Sequence, residues 1–370
     1  MSRGDRGLRV VALGGGHGLH ATLSALRRRP DAFAEVTAVV TVADDGGSSG
    51  RLRRELGLLP PGDLRMALAA LAADDDRGRF WADLVQHRFG GTGALAGHAV
   101  GNLLLAGLLE VTDDPVGALD AVADLVGCHG RVLPMATVPL DIEADVELDA
   151  GSTHRIRGQV AVASTPGRVH RVWLRPEEPP ACPEAVRAVR EADMVLLGPG
   201  SWFTSVLPHL LVPGLRDALL ETSARRVVLL NLAPEPGETA GFSPEQHLEV
   251  LSGHAPTFTV HAVLADTASV PLPERLHRAA ASMLAPGGQV RFADVADGGS
   301  STPRHDPVAL AECLVDLVGP GGGETGDGVQ RRCSERAVPA RSGVPGRDDG
   351  ALGEGDVMQQ HPSGGSPRWP

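Results

Sequence analysis

Three times in this chain a short apolar run stops abruptly at a glycine-rich bend. Leu8 to Leu13 ends in Gly14-Gly15-Gly16-His17-Gly18. Val36 to Val42 ends in Ala43-Asp44-Asp45-Gly46-Gly47-Ser48-Ser49-Gly50. Met194 to Leu197 ends in Gly198-Pro199-Gly200-Ser201. Short apolar runs bounded by such bends read as buried strands, and helical segments alternate with them. The alternation predicts an α/β fold: a Rossmann-like, doubly wound, mostly parallel sheet with helices on both faces. The interval from about 130 to 180 breaks the alternation and reads as a small β-rich insertion. Parallel strands present their bends on one edge, where open α/β sheets bind ligands. The three bends are therefore expected to converge on one anionic ligand.

Each bend carries its own chemistry. In the first, glycines let the backbone approach a phosphate and the following helix offers unpaired N–H groups, although a tight turn explains the same residues. It lacks the third glycine of a dinucleotide fingerprint, because Leu19 stands there. In the second, Asp44 and Asp45 suit a ribose hydroxyl or a metal, and Gly46, Gly47, Ser48 and Ser49 suit backbone contact with phosphate. In the third, Ser201, Thr204 and Ser205 serve either as helix caps or as oxyanion donors.

Other residues add to the set. Asp63 and Arg65 lie in Pro60-Pro61-Gly62-Asp63-Leu64-Arg65, where Asp63 reads as an N-cap for a helix over 64–72. His98 and Asn102 stand four apart on a helix read over 98–110, and Asn102, amid leucines, needs partners from core or ligand. Arg304 precedes Asp306-Pro307, a helix start, and is either a surface arginine or a counter-charge for phosphate. Further expectations are a helix over 51–56 and strands over 132–138, 146–148, 169–174, 258–264 and 291–295.

Composition removes several function classes. All 34 basic residues are arginine, so neither a lysine Schiff base nor a P-loop lysine exists. A net charge of −12 argues against nonspecific nucleic-acid binding and requires local help for any bound anion. The four cysteines have no metal-type spacing and read as reduced thiols. No zinc-type histidine pairing appears. No apolar stretch is long enough for a bilayer or resembles a signal peptide, so no membrane partner is expected. Residues 1–318 read as one ligand-binding domain and the Gly- and Pro-rich 319–370 as a disordered tail.

Seven segments, in this order, resemble the gluconeogenesis factors of the YvcK type, relatives of 2-phospho-L-lactate transferase, the coenzyme F420 biosynthesis enzyme. They are Gly-Gly-Gly-His-Gly-Leu (14–19), Val-Ala-Asp-Asp-Gly-Gly-Ser-Ser-Gly-Arg-Leu-Arg (42–53) and Pro-Pro-Gly-Asp-Leu-Arg (60–65). Gly-His-Ala-Val-Gly-Asn-Leu (97–103), Leu-Gly-Pro-Gly-Ser-Trp-Phe-Thr-Ser (197–205), Gly-Glu-Thr-Ala-Gly-Phe (237–242) and Arg-His-Asp (304–306) follow. The resemblance covers roughly residues 8–318. It implies a cytoplasmic protein that binds a UDP-sugar, notably UDP-N-acetylglucosamine, and acts in cell-wall precursor supply and cell shape. The transferase branch instead implies moving a phospholactyl group from a guanylyl donor to a deazaflavin with a divalent metal. The extended second segment and Pro-Pro-Gly-Asp favour the first branch.

On this resemblance Gly14 to Gly18 and Gly198 to Ser201 cradle a pyrophosphate. Asp44 or Asp45 holds a ribose hydroxyl or Mg2+, Asn102 and Thr204 add hydrogen bonds, and Arg304 offsets phosphate charge. Arg53, Asp63, Arg65 and Ser205 belong to the ligand-binding set as members of matched segments. No catalytic residue is assigned. The implied partners are the nucleotide sugar and a protein of precursor synthesis; a homo-oligomer fits as well.

Overall fold

A computed structural model describes residues 7–149, 152–300 and 302–317. The first half runs β1 (Arg9–Gly14), α1 (Gly16–Leu26), β2 (Glu35–Val40), α2 (Gly47–Leu56), α3 (Pro61–Ala70), α4 (Asp76–Gln86), α5 (Val100–Thr112) and α6 (Pro115–Val126). Then come β3 (Arg131–Pro134), β4 (Asp141–Asp149), β5 (Ser152–Arg157), α7 (Gln159–Ala163), β6 (Arg168–Arg175), α8 (Pro183–Glu191) and β7 (Met194–Leu197). A π-helical turn (Trp202–Val206) leads to α9 (Pro208–Leu211), α10 (Pro213–Glu221), β8 (Arg225–Leu229), α11 (Pro244–His254), β9 (Val260–Asp266), α12 (Pro273–Ala280), β10 (Leu284–Ala293) and α13 (Pro307–Asp316).

Seven strands form one sheet in the order β10-β9-β8-β7-β1-β2-β3. Every neighbouring pair in it is parallel. The chain starts in the middle. It winds outward through β2 and β3 on one side and through β7 to β10 on the other. Val10, Val11, Ala12 and Leu13 pair with Met194, Val195, Leu196 and Leu197, so the winding reverses between β1 and β7. These strands read as near-continuous aliphatic runs because both faces are covered, and residues 10–13 and 194–197 are almost wholly buried. This is the Rossmann-like architecture that the sequence implied.

The interval expected to be β-rich divides in two. β3 belongs to the main sheet, while β4, β5 and β6 form a separate antiparallel sheet in the order β5-β4-β6. One face of β4, carrying Ile142, Ala144 and Val146, is buried. The other presents Asp141, Glu143 and Asp145, which pair with Arg157, Arg175 and Arg155 from the flanking strands. Strict acid–apolar alternation makes all of 141–149 a strand, longer than the 146–148 expected.

Other expectations are corrected. α2 starts at Gly47 rather than Arg51, because the Gly50 amide already bonds the Gly46 carbonyl at 2.7 Å. The second bend is thus a helix N-terminus. α3 starts at Pro61, so Asp63 lies inside its first turn and is not the N-cap; Pro60 holds that position. β3 stops at Pro134 and β10 extends back to Leu284. α7, α10 and α12 arise where no helix was read. Asp306 does cap α13, accepting the Val308 and Ala309 amides. Cys128, Cys182 and Cys313 are reduced thiols. The tail expected beyond residue 318, with Cys333, lies outside the described residues.

Candidate functional site

The first, second and third bends follow β1, β2 and β7, three adjacent strands whose carboxyl ends share one edge. They meet at the point where the winding reverses, the usual ligand position in open α/β sheets. The first and third bends are in backbone contact. A Cβ placed on Gly18 would lie 2.1 Å from the Pro199 carbonyl oxygen, so only glycine fits there. Thr22 locks this contact by donating to the Gly198 carbonyl at 3.3 Å. Ser205 faces the first bend, with its Oγ 3.3 Å from where a Gly15 Cβ would stand.

Asp63 ties the first bend to the second. Its carboxylate accepts the Gly16 amide and feels the charge of Asp44. Burial, reinforced by Asp44, pushes the Asp63 carboxyl up to about 7, against the opposing pull of Gly16 and Arg65. Asp44 bonds the Gly46 amide at 2.9 Å through Oδ1 and turns Oδ2 toward α3, 2.7 Å from a Cβ position on Gly62. Asp45 turns elsewhere: its Oδ1 accepts the Val160 amide at 2.9 Å, at the start of α7.

These positions bear on the expected Mg2+. Among the described residues no group of three or more His, Cys, Asp or Glu side chains forms a metal site. A Mg2+ ion keeps several waters and takes one or two carboxylates plus phosphate oxygens. Asp44 and Asp63 fit that requirement, whereas Asp45 is committed to α7.

Ser48, one of the small residues of the second bend, joins two helices. Its Oγ lies 2.9 Å from His98 Nδ1 and accepts the Asn102 side-chain amide at 2.9 Å. His98 sits in the turn before α5 rather than on the helix, yet both residues reach the same hydroxyl. Four buried polar atoms nearby lack partners: Thr41 Oγ1, Arg53 Nη1, Arg65 Nε and Asn102 Oδ1. Buried polar atoms are normally paired, so such a cluster marks a place where ligand or water completes the bonds. Arg65 is 4% exposed and its pKa falls to about 10 through burial, with Arg88 adding to the effect. Arg53 ion-pairs with Asp141 and so fastens α2 to the small sheet.

The third bend is built differently. The Gly200 amide donates to Asn231 Oδ1 at 2.8 Å, and the Asn231 amide returns a bond to the Gly200 carbonyl at 2.9 Å. Ser201 Oγ donates to Glu238 Oε1 at 2.7 Å, and the Phe203 amide reaches the same oxygen at 3.3 Å. Ser201 and Thr204 also share a hydroxyl–hydroxyl bond. Glu238 is 1% exposed, and burial pushes its carboxyl up to about 7 despite these bonds. Its Oε2 has no partner. Neither Asn231 nor Glu238 was expected as a site residue. The signals were present: a polar residue ending the aliphatic run 227–230, and the acid of Gly237-Glu238-Thr239.

His17 and Gly47 lie exposed at the rim. Arg304 is also exposed, its Nε 3.3 Å from Asp297. Its neighbour His305 is buried against the Leu230 carbonyl, one residue from Asn231. Arg304 therefore stands on the third-bend side, while the buried cation beside Asp44 and Asp63 is Arg65.

A parallel, doubly wound sheet with glycine bends and two carboxylates, Asp44 and Asp63, at its reversal point defines a Rossmann-like α/β protein. The profile of 2-phospho-L-lactate transferase CofD matches residues 10–289. A Mycobacterium tuberculosis protein named "Putative gluconeogenesis factor" is 58% identical over 356 residues, spanning 94% of this chain and 98% of that protein. The "Gluconeogenesis factor" of Bacillus subtilis is 34% identical over 320 residues, spanning 84% and 98%. A crystal structure of a UPF0052 family member from Bacillus halodurans superposes with a TM-score of 0.74 at 31% identity, covering 84% of this chain and 99% of that one. The chain belongs to the CofD-like family of gluconeogenesis factors.

Proposed function

We propose that this protein binds a nucleotide sugar, UDP-N-acetylglucosamine foremost, and acts in the cytoplasm as a regulator of cell-wall precursor supply and cell shape. The observation that carries this reading is the meeting of three bends from three adjacent strands at the reversal point. The first-turn amides of α1 and α2 point out of their helices, and neither N-cap residue, Gly15 or Gly46, supplies a side-chain cap. Apart from Gly16, whose amide is taken by Asp63, these amides and Arg65 suit a pyrophosphate. Arg304 adds charge from the rim. Asp44 and Asp63 would hold Mg2+, which supplies charge neutralisation between carboxylates and phosphate. No helix among the described residues is long and apolar enough to cross a membrane. A regulator needs a listener, and a protein of precursor synthesis is the proposed one.

Thermal unfolding with and without the nucleotide sugar tests the reading. At about 100 times the dissociation constant, linkage predicts roughly 2.7 kcal/mol of added stability. An unchanged melting curve across uridine, guanosine and nicotinamide nucleotides would remove it.

A second reading rests on the match to the transferase profile. Here the same crevice transfers a phospholactyl or nucleotidyl group. The fate of the nucleotide decides: Mg2+-dependent turnover, lost in Asp63→Asn, supports an enzyme, and an intact nucleotide after long incubation supports a sensor.

A further inference from the structure

The three bends are not chemically equivalent. Apart from Gly16, whose amide is taken by Asp63, the first-turn amides of α1 and α2 have no acceptor within their helices, which favours an anion. At the third bend the corresponding donors are spent. The Gly200 amide is taken by Asn231, and the Phe203 amide and Ser201 hydroxyl by Glu238. The Glu238 carboxylate thus already fills the position an anion would take at the start of the π-helical turn. Its second oxygen is buried and unpaired, so a phosphate brought there would face a carboxylate and find no free backbone donor.

Ser201 is the accessible member of this cluster. Trp202, Phe203, Thr204 and Glu238 are all buried, while Ser201 keeps part of its surface open. A hydroxyl has one proton and two lone pairs. With its proton on Glu238 and one contact to Thr204, Ser201 retains acceptor capacity for a ligand O–H.

Resting on the nucleotide-sugar reading, we infer that the third bend receives an uncharged, hydroxyl-bearing ring of the ligand, with Ser201 as its contact. Glu238 orients Ser201 and turns away a further phosphate at that position. The bend is then the specificity element of the crevice. It separates nucleoside diphosphate sugars from nucleoside triphosphates, while the first two bends hold the diphosphate common to both.

Calorimetric titration of the full chain with UDP, UTP and UDP-N-acetylglucosamine at one Mg2+ concentration tests this. Ser201→Ala should weaken the nucleotide sugar about tenfold, the size of one lost hydrogen bond, and leave UDP within about twofold. Glu238→Gln keeps an acceptor for Ser201 and Phe203 but removes the charge. It should tighten UTP about fivefold or more relative to the sugar, a modest change in local electrostatics. Equal weakening of UDP and the sugar by Ser201→Ala overturns the inference. So does an unchanged UTP-to-sugar ratio in Glu238→Gln, which stands even where Ser201→Ala folds poorly. Equal wild-type affinity for all three ligands overturns this inference alone. Failure of every uridine nucleotide to bind overturns the nucleotide-sugar reading beneath it.

Discussion

The carboxylate of Asp45 accepts the Val160 amide at 2.9 Å across 115 residues of sequence. The second bend thereby grips the start of α7. The other end of α7 is held as well, since the Glu238 amide donates to the Ala163 carbonyl at 3.3 Å. One short helix of five residues is clasped at both of its ends. Asp45→Ala should release its first turn. Loss of such a cap costs about 1 kcal/mol locally. Hydrogen exchange of a peptide covering 158–165 should accelerate while the main-sheet strands stay protected. Uniform acceleration would show that α7 is not separately latched.

Gly18 and Gly107 make opposite forecasts for the same substitution. At Gly18 an added methyl collides with backbone of the third bend, which cannot swing aside. Gly18→Ala should destabilise the protein by about 2 kcal/mol or more and abolish any ligand-induced shift in melting. Gly107 lies on α5 with nothing within 4 Å of its Cβ position. Gly107→Ala should add about 0.5–1 kcal/mol by removing backbone freedom from the unfolded chain. Urea unfolding of both variants checks the pair, and equal behaviour would refute the contact.

Asp63 gives the protein a pH signature. Its carboxyl is raised to about 7 in the fold, against about 4 in an unfolded chain. The folded state therefore binds the proton more tightly, and stability drops as pH climbs from about 4 toward 7, then levels. Asp63→Asn should exceed wild type in stability at pH 8 by on the order of 2 kcal/mol, with the gap shrinking toward pH 5. Glu238 contributes in the same direction. Chemical unfolding at the two pH values measures this; a pH-independent difference would contradict it.

Arg304 separates binding from folding. Its ion pair with Asp297 is solvent-exposed, with 65% of the arginine side chain accessible. Such pairs contribute little, so Arg304→Ala should leave stability within about 0.5 kcal/mol of wild type. A fall in nucleotide-sugar affinity in this variant then reads directly on the lost charge. A drop of several degrees in melting temperature would show a structural role instead.

Much of this was legible in the sequence, for definite reasons. Val10 to Leu13 and Met194 to Leu197 are buried on both faces of a parallel sheet, and that burial demands the unbroken aliphatic runs that reveal them. Gly18 betrays itself because close backbone approach leaves room for no other residue. What local pattern hides is partnership. Asp63 looks like a cap because an acid after Pro-Pro-Gly usually is one; its actual donor is Gly16, 47 residues earlier in the chain. Asp44 and Asp45 look alike side by side, yet strand and turn geometry send them in different directions, one to α3 and one to α7. Glu238 takes its meaning from Ser201, which no spacing rule connects to it.

The pairing of β1 with β7 also sets when the first and third bends come together. Arg9 donates its amide to Asp193 across 184 residues, so the first bend waits for the third until about half the chain has left the ribosome. Long-range parallel pairing of this kind forms slowly. A nascent or truncated product ending before Ser201 holds two walls and no room between them. On the proposed reading, ligand capture requires a chain that extends past the third bend, and premature stop codons as late as residue 190 should yield chains that are blind to the ligand rather than weakly responsive.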